Sequence, residues 1–196
     1  MTPERAFKLN AVLAKRQPDV TVVLENVFDP HNIAAVMRTC DAVGVQEVYA
    51  ITDRIPPRSN WGYRSSRSAN KWVDLHAFHD RVECMKAIRD RYPRLLGSRL
   101  APATASLFET GLTDPVALVF GNEKYGVSEW MAERCDGWFE IPQYGMITSL
   151  NVSVACAVTL YEMLRQRTCA GLYDAGRMPE GRSAEIMRRW SGDKGS

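Results

Sequence analysis

The sequence predicts an α/β protein built on a parallel sheet flanked by helices. Three observations carry this reading of the 196 residues. Short β-branched runs recur, segments with helical apolar spacing alternate with them, and turn residues punctuate the joins. The opening is clearest. TVVLENV at 21–27, between Pro18-Asp19 and Asp29-Pro30, reads as a buried strand. HNIAAVMRTCDAVGV follows, with Ile33, Val36, Met37, Cys40 and Val43 at helical spacing and Gly44 as its stop. EVYAI at 47–51 is the next strand, completing a βαβ unit.

The other elements follow in order. RIPPRSNWGYRSSRSANK at 54–71 is rich in turn residues and reads as an exposed loop. WVDLHAF (72–78) is a strand, 80–91 a helix, RLLGS (94–98) a strand, and VALVF (116–120) a strand running into GNEKYGVS. A helix is expected over about 128–135, a strand at WFEIP (138–142), a turn through Gln143–Ser149, and a long helix from Asn151 to Gln166. The division is a basic N-terminal helix over 1–20, one α/β domain over 21–167, and a basic tail and helix over 168–196.

Composition narrows the function classes. Hydrophobic residues at 45% and charged residues at 24% describe an ordinary globular chain, and 25 basic against 23 acidic residues name no partner. No run approaches the roughly 20 apolar residues of a membrane span, and the start MTPERAFKLNAVLAKRQPD lacks the apolar core of a secretory signal. Five scattered cysteines without C-x-x-C, and three histidines without ligand spacing, argue against a disulfide framework or a metal site. A cytoplasmic protein with no membrane contact and no metal is expected.

Ligands of open α/β sheets bind at the carboxyl ends of the strands, so the loops there hold the candidates. The first carries Asn32 and Arg38, six residues apart and within about 120° of each other on a helix. Arg38 suits a phosphate through its planar fork, or it snorkels to a surface carboxylate. The second, GNEKYG, is neither a dinucleotide fingerprint nor a phosphate loop, and Glu123 within it could be a solvated carboxylate. The third brings Ser149, Leu150 and Asn151 to the start of an apolar helix, where Ser or Asn also serves as a plain cap.

Together the runs LENVFDPHNIAAVMRTCDAVGV, ALVFGNEKYGVSE and IPQYGMITSLNVSVACAVTLYE resemble the three motifs of the SPOUT class of RNA 2′-O-methyltransferases, in order and spacing. RQPDVTVVLENV and RQRTCAGLYD are similar to the TrmH group within it, which acts on guanosine 18 of tRNA. The resemblance implies a SPOUT-type parallel sheet whose C-terminal part is tied in a deep trefoil knot, an exception to unknotted connections. It implies an S-adenosyl-L-methionine pocket lined by Ser98, Leu100, Gly121, Ile141 and Leu150, largely through backbone groups. It makes Arg38 the central catalytic residue, placed by Asn32 and completed by Glu123, Ser149 and Asn151. It also implies a homodimer, in which the pocket of one subunit meets Arg38 of the other. At Asn122, where the family also uses small residues such as Ala, little consequence is expected. The alternatives are a sibling enzyme acting on rRNA or another tRNA position, a non-catalytic RNA-binding module, and a nicotinamide oxidoreductase. The missing G-x-G-x-x-G disfavours the last.

The charge gains meaning from its geography. Residues 54–71 hold Arg54, Arg58, Arg64, Arg67 and Lys71 with no acid, interleaved with Trp61 and Tyr63, a mixture suited to phosphates and stacked bases. The N-terminal segment adds Arg5, Lys8, Lys15 and Arg16, and the tail adds Arg177, Arg182, Arg188 and Arg189. Beside a methyltransferase core, these segments read as a tRNA-binding surface.

Overall fold

The computed structural model describes residues 1–53, 71–101 and 104–192. Helix α1 (Pro3–Ala14) leads into β1 (Gln17–Glu25), α2 (Pro30–Val43), β2 (Val45–Ile51), β3 (Asp74–Phe78) and α3 (Arg81–Arg89). Then come β4 (Leu95–Ser98), β5 (Ala105–Ser106), a 3-10 turn (Leu107–Glu109), β6 (Val116–Phe120), α4 (Glu129–Ala132) and β7 (Gly137–Glu140). Helices α5 (Val152–Cys169) and α6 (Glu180–Ser191) finish the chain. Seven strands form one sheet in the order β3-β2-β1-β6-β4-β7-β5, and every pair is parallel. The expected parallel α/β architecture is therefore present.

Alternation along β1 builds two cores. Val20, Val22 and Leu24 pack with α2 and α5 on one face, while Val23 joins Tyr49, Ile51, Ile88 and Val119 on the other. A strand covered on both faces reads as a continuous apolar run, which is why β1 was legible. Helix α2 begins where the Asp29 side chain accepts the His31 amide and Pro30 presets the first turn. It ends at Gly44, whose φ of 85° is left-handed and whose missing Cβ leaves room for the Lys15 carbonyl.

Several element boundaries differ from the sequence expectation, and two of them, with one unread strand, have clear physical reasons. Strand β1 starts four residues early because Gln17 pairs with Val45 across a register shift, and its polar side chains are satisfied from α5. Arg167 of α5 is fully buried and binds Gln17 Oε1 at 2.7 Å and both Asp19 carboxylate oxygens at 2.8 and 3.0 Å. That anchor carries α5 on to Cys169. Strand β5, only two residues long and held by β7, has too little pattern to be read in advance.

The terminal helices pack on each other, with Leu9 and Leu13 of α1 against Ile186 and Trp190 of α6. Ion pairs then fix α6 to the sheet. Arg182 bridges Glu47 at 2.9 Å and Asp74 at 2.8 Å. Burial pushes the Glu47 carboxyl up, but hydrogen bonds and charge from His76 and Arg91 outweigh it and hold the group at about 2.

Candidate functional site

The carboxyl ends of β4, β6 and β7 open into a cavity of about 350 Å³, within the size range of small-molecule sites. Ser98, Leu100, Gly121, Ile141 and Leu150 all line it, with Glu123 and Ser149. Three chain segments far apart in sequence thus meet at one cavity. Gly121 is indispensable to its shape, because a Cβ there would fall inside the backbone of Gly126 and Val127. The turn closes as Asn122 and Gly126 exchange backbone hydrogen bonds at 3.1 and 2.7 Å, with Gly126 at φ +67°.

Asn122 corrects an expectation. Its side chain donates to the Asn26 carbonyl at 2.9 Å and accepts the amides of Lys124 and Tyr125 at 2.9 and 3.2 Å. Three bonds to backbone groups make it the organiser of the GNEKYG turn, a role alanine cannot fill.

Beside the cavity, Asn151 caps α5 by accepting the Ser153 amide at 2.9 Å, so the plain capping reading holds. Its amide also does more: Nδ2 donates to Asn32 Oδ1 at 3.1 Å, and Asn32 Nδ2 donates to Glu123 Oε1 at 2.6 Å. One residue from each of the three loops is therefore joined in a single hydrogen-bonded row. Asn32 spends both ends of its amide on Asn151 and Glu123 and makes no hydrogen bond to Arg38. Arg38 lies exposed on α2, with no hydrogen bond or ion pair among the described residues. Ser149 is exposed on the cavity wall.

Chemically, the cavity offers polar and apolar walls for a flat heterocycle, with the Glu123 carboxylate on its rim tied to the row of amides beside it, while the uncommitted Arg38 guanidinium lies outside the lining. Sequence reasoning missed one member of the support. Buried Glu25, at the end of β1, accepts the Ser128 amide at 2.8 Å and its hydroxyl at 2.5 Å, pinning the segment after the GNEKYG turn. The signal was a carboxylate closing an otherwise apolar strand, LEN after TVV.

The basic residues divide sharply. Arg5 and Lys8 are exposed on α1, Arg188 is exposed on α6, and Lys71 is exposed with Nζ 4.8 Å from the Trp72 ring. Lys15 is exposed but donates to the Tyr173 carbonyl at 2.6 Å, and Arg189 pairs with Asp74 at 2.5 Å. Arg16 is a correction: it is fully buried, bound to Asp41 at 2.6 Å and lying 5.0 Å over the Trp190 ring, so it cannot reach RNA. Arg177 and Arg182 of the tail are likewise paired, with Asp19 and with Glu47 and Asp74. Arg54, Arg58, Arg64 and Arg67 lie outside the described residues. Among the described residues, no helix is long and apolar enough to cross a membrane, and no cluster of His, Cys, Asp or Glu could hold a metal ion.

Comparison with known proteins places this geometry. Residues 19–161 match the SpoU rRNA Methylase family. A tRNA (guanosine(18)-2′-O)-methyltransferase of Thermus thermophilus is 41% identical over 191 residues, 96% of each chain. The crystal structure of the Aquifex aeolicus TrmH/SpoU tRNA modifying enzyme superposes with a TM-score of 0.85 at 34% identity, covering 98% of each chain. The SpoU methyltransferase AviRb of Streptomyces viridochromogenes, solved with AdoMet, matches with a TM-score of 0.67 at 25% identity, over 79% of this chain and 59% of its own.

Proposed function

The chain belongs to the SpoU rRNA methylase family, and from that premise we propose that it methylates the ribose 2′-hydroxyl of guanosine 18 in tRNA, using S-adenosylmethionine. The observation that carries this is the row Glu123–Asn32–Asn151 at the cavity formed by Ser98, Leu100, Gly121, Ile141 and Leu150. Choice of tRNA over rRNA rests on similarity that runs the length of a tRNA-modifying relative. The cytoplasm is the expected setting.

The cavity fits the cofactor. Its size, its mixed polar and apolar lining and the tight Gly121 approach suit an adenosine moiety read by main-chain groups. When bound there, S-adenosylmethionine supplies an electrophilic methyl group on a sulfonium. Arg38 grips a phosphate of the RNA beside the target ribose, so that the guanidinium-held phosphate accepts the proton leaving the 2′-oxygen. A permanently charged arginine is itself a poor base, and positioning supplies much of the rate. Asn151 and Asn32 hold the third loop and Glu123 in register, and Ser149 completes the wall facing the ribose. The C-terminal strands and their loops are read as the trefoil knot, a reading favoured by β4 lying between β6 and β7, which follow it in the chain.

The protein acts as a homodimer in this scheme, with Arg38 of a second copy meeting the cavity. Arg38 has no bond in its own chain among the described residues, and Tyr144, Met146 and Ile147 stand 99%, 99% and 73% exposed beside the site. The methyltransferase domain, expected over 21–167, then begins with β1 at Gln17, and of the flanking segments the exposed Arg5, Lys8 and Arg188 are the cations that face the RNA. The decisive experiment incubates purified protein with S-adenosylmethionine and unmodified tRNA and rRNA, then maps 2′-O-methylation. Methylation at guanosine 18 of tRNA is the expected result. Modification confined to rRNA overturns the choice of substrate, and no transfer to any RNA leaves only a binding module.

A further inference from the structure

The turn that carries Glu123 stands between two cavities. Behind it lies a space of about 240 Å³, lined by Glu25, Asn26, Phe28, Tyr125 and Ser128, while the cavity of about 350 Å³ lies in front. Asn122 and Gly126 line both, and a Cβ at Gly126 would meet nothing within 4 Å. With space on either side, packing alone does not fix where the turn sits. Hydrogen bonds from the end of β1 do. At the near root, the Asn26 carbonyl accepts Asn122 Nδ2 at 2.9 Å. At the far root, Glu25, only 2% exposed, accepts the Ser128 amide on Oε2 at 2.8 Å and the Ser128 hydroxyl on Oε1 at 2.5 Å. The anchor is itself held, since the Asn26 amide donates to the Ile51 carbonyl at 2.8 Å and its side chain donates to Asp53 at 2.9 Å.

We propose that Glu25 is a positioning residue for methyl transfer. Acting through Ser128, it fixes the far root of the turn, and so sets Gly121 against the cofactor cavity and Glu123 within reach of Asn32. The proposal rests on reading the neighbouring site as a methyltransferase. The chemistry of the contact calls for a carboxylate. Ser128 presents two donors, its amide and its hydroxyl, and its hydroxyl oxygen already accepts the Met131 amide at 3.2 Å as the cap of α4. Two donors need two acceptor oxygens, which an ionised carboxylate has and a carboxamide lacks. Glu25→Gln therefore keeps the size of the side chain, sets an NH2 group against a donor and loosens one root of the turn. Misplacing a reacting group by about 1 Å costs on the order of 100-fold in rate, so a loosened root shows in the kinetics. A Glu25 that only stabilised the fold would lower the unfolding temperature and leave the kinetic constants of the folded enzyme alone.

The test measures kcat and KM, for S-adenosylmethionine and for tRNA, below the unfolding temperature of each protein. The variants are Glu25→Gln, Ser128→Ala, the two combined, and Met131→Ala. Glu25→Gln should raise KM for S-adenosylmethionine and lower kcat, each by about tenfold, with KM for tRNA within about twofold of wild type. Ser128→Ala removes the hydroxyl, keeps the carboxylate bound to the amide, and should show a smaller change of the same kind. The double variant should be little worse than Glu25→Gln, because both substitutions act on one contact. Met131→Ala empties a fully buried position under α4, so it lowers stability without touching the turn and should keep wild-type constants. Wild-type constants in Glu25→Gln, the same shifts in Met131→Ala, or full multiplication of the single losses in the double variant overturns the proposal. Should Glu25→Gln fail to fold, Ser128→Ala decides by the same criteria. Should no RNA be methylated, the methyltransferase reading fails, and Glu25 is judged by calorimetric titration of S-adenosylmethionine alone. Binding weaker by about tenfold in Glu25→Gln supports its role, and equal or absent binding overturns it.

Discussion

The two ends of the sheet carry similar residues and use them in opposite ways. At the amino ends of the strands, Arg167 and Arg16 are fully buried and both guanidinium groups bind carboxylates and carbonyls of the same chain, with Arg16 Nε alone of their nitrogens left unpartnered. Away from them, Arg38 on α2 is exposed with no bond among the described residues, and at the carboxyl ends Ser149 stands exposed on a cavity wall. The lesson is that charge by itself identifies nothing. An arginine holds the fold when the fold supplies its partners and is available for function when it does not, because a buried charge left unpaired is too costly to persist.

That contrast can be broken most severely at Arg167. Arg167→Ala should cost about 2–4 kcal/mol in denaturant unfolding, since it removes a fully buried guanidinium with its bonds to Gln17, Asp19 and the Leu112 and Thr113 carbonyls, leaving Asp19 to Arg177, with activity falling only as folded protein is lost. Arg38→Ala should do the reverse. Methyl transfer at saturating tRNA and cofactor should fall by about 100-fold, while unfolding stability stays within about 0.5 kcal/mol. If Arg38→Ala kept near-full activity, the carboxyl end would lose its claim to the chemistry.

Asn122→Ala probes the border between the two behaviours, since its bonds are structural but shape the cavity. A loss of about 1–3 kcal/mol is expected, together with weakened S-adenosylmethionine binding in calorimetric titration. The electrostatics of the amino end can be tested by pH. The Glu47 carboxyl titrates at about 2 in the fold against an ordinary 4.5, so it holds more protons unfolded than folded across that interval. Its contribution is complete above the higher value and is lost as pH falls toward the lower one. Glu47→Gln should therefore show a shallower loss of stability than wild type between those two pH values, measured by thermal unfolding.

The smallest effect separates exposed cations from paired ones. Lys8→Gln should lower the slope of log binding constant against log salt for tRNA by about 1. Arg189→Gln, which removes a partner of Asp74, should lower stability more than it changes that slope. Equal slopes for wild type and Lys8→Gln would remove α1 from the RNA surface.

Much of this molecule was legible along the chain. The βαβ opening, the strand Val116–Phe120 and the helix starting beyond Asn151 are local patterns of apolar spacing, caps and turn residues, which a sequence displays directly. Three polar loops at strand ends were visible for the same reason, whereas Ser98, Leu100, Gly121, Ile141 and Leu150, now found around one cavity, were expected there only through the family resemblance. Other features could not be read. Arg16 and Arg5 look alike in a basic N-terminal segment, yet one is buried over Trp190 and the other faces solvent. At Asn122 little consequence was expected because the family resemblance allows Ala there, and its bond to the carbonyl of Asn26, 96 residues away, shows only in the fold.

By itself, then, the sequence determined the parallel α/β class, most of the strand and helix order and the three polar loops after the strands, because those depend on neighbours a few residues apart. Only the tertiary structure decided which polar residues are committed to the fold and which stay available. It joined Glu123, Asn32 and Asn151 in one row and left Asn26 Oδ1 without a partner beside it. The physical reason is that a hydrogen bond or an ion pair is a property of two groups, and in these pairs the second group lies many residues distant.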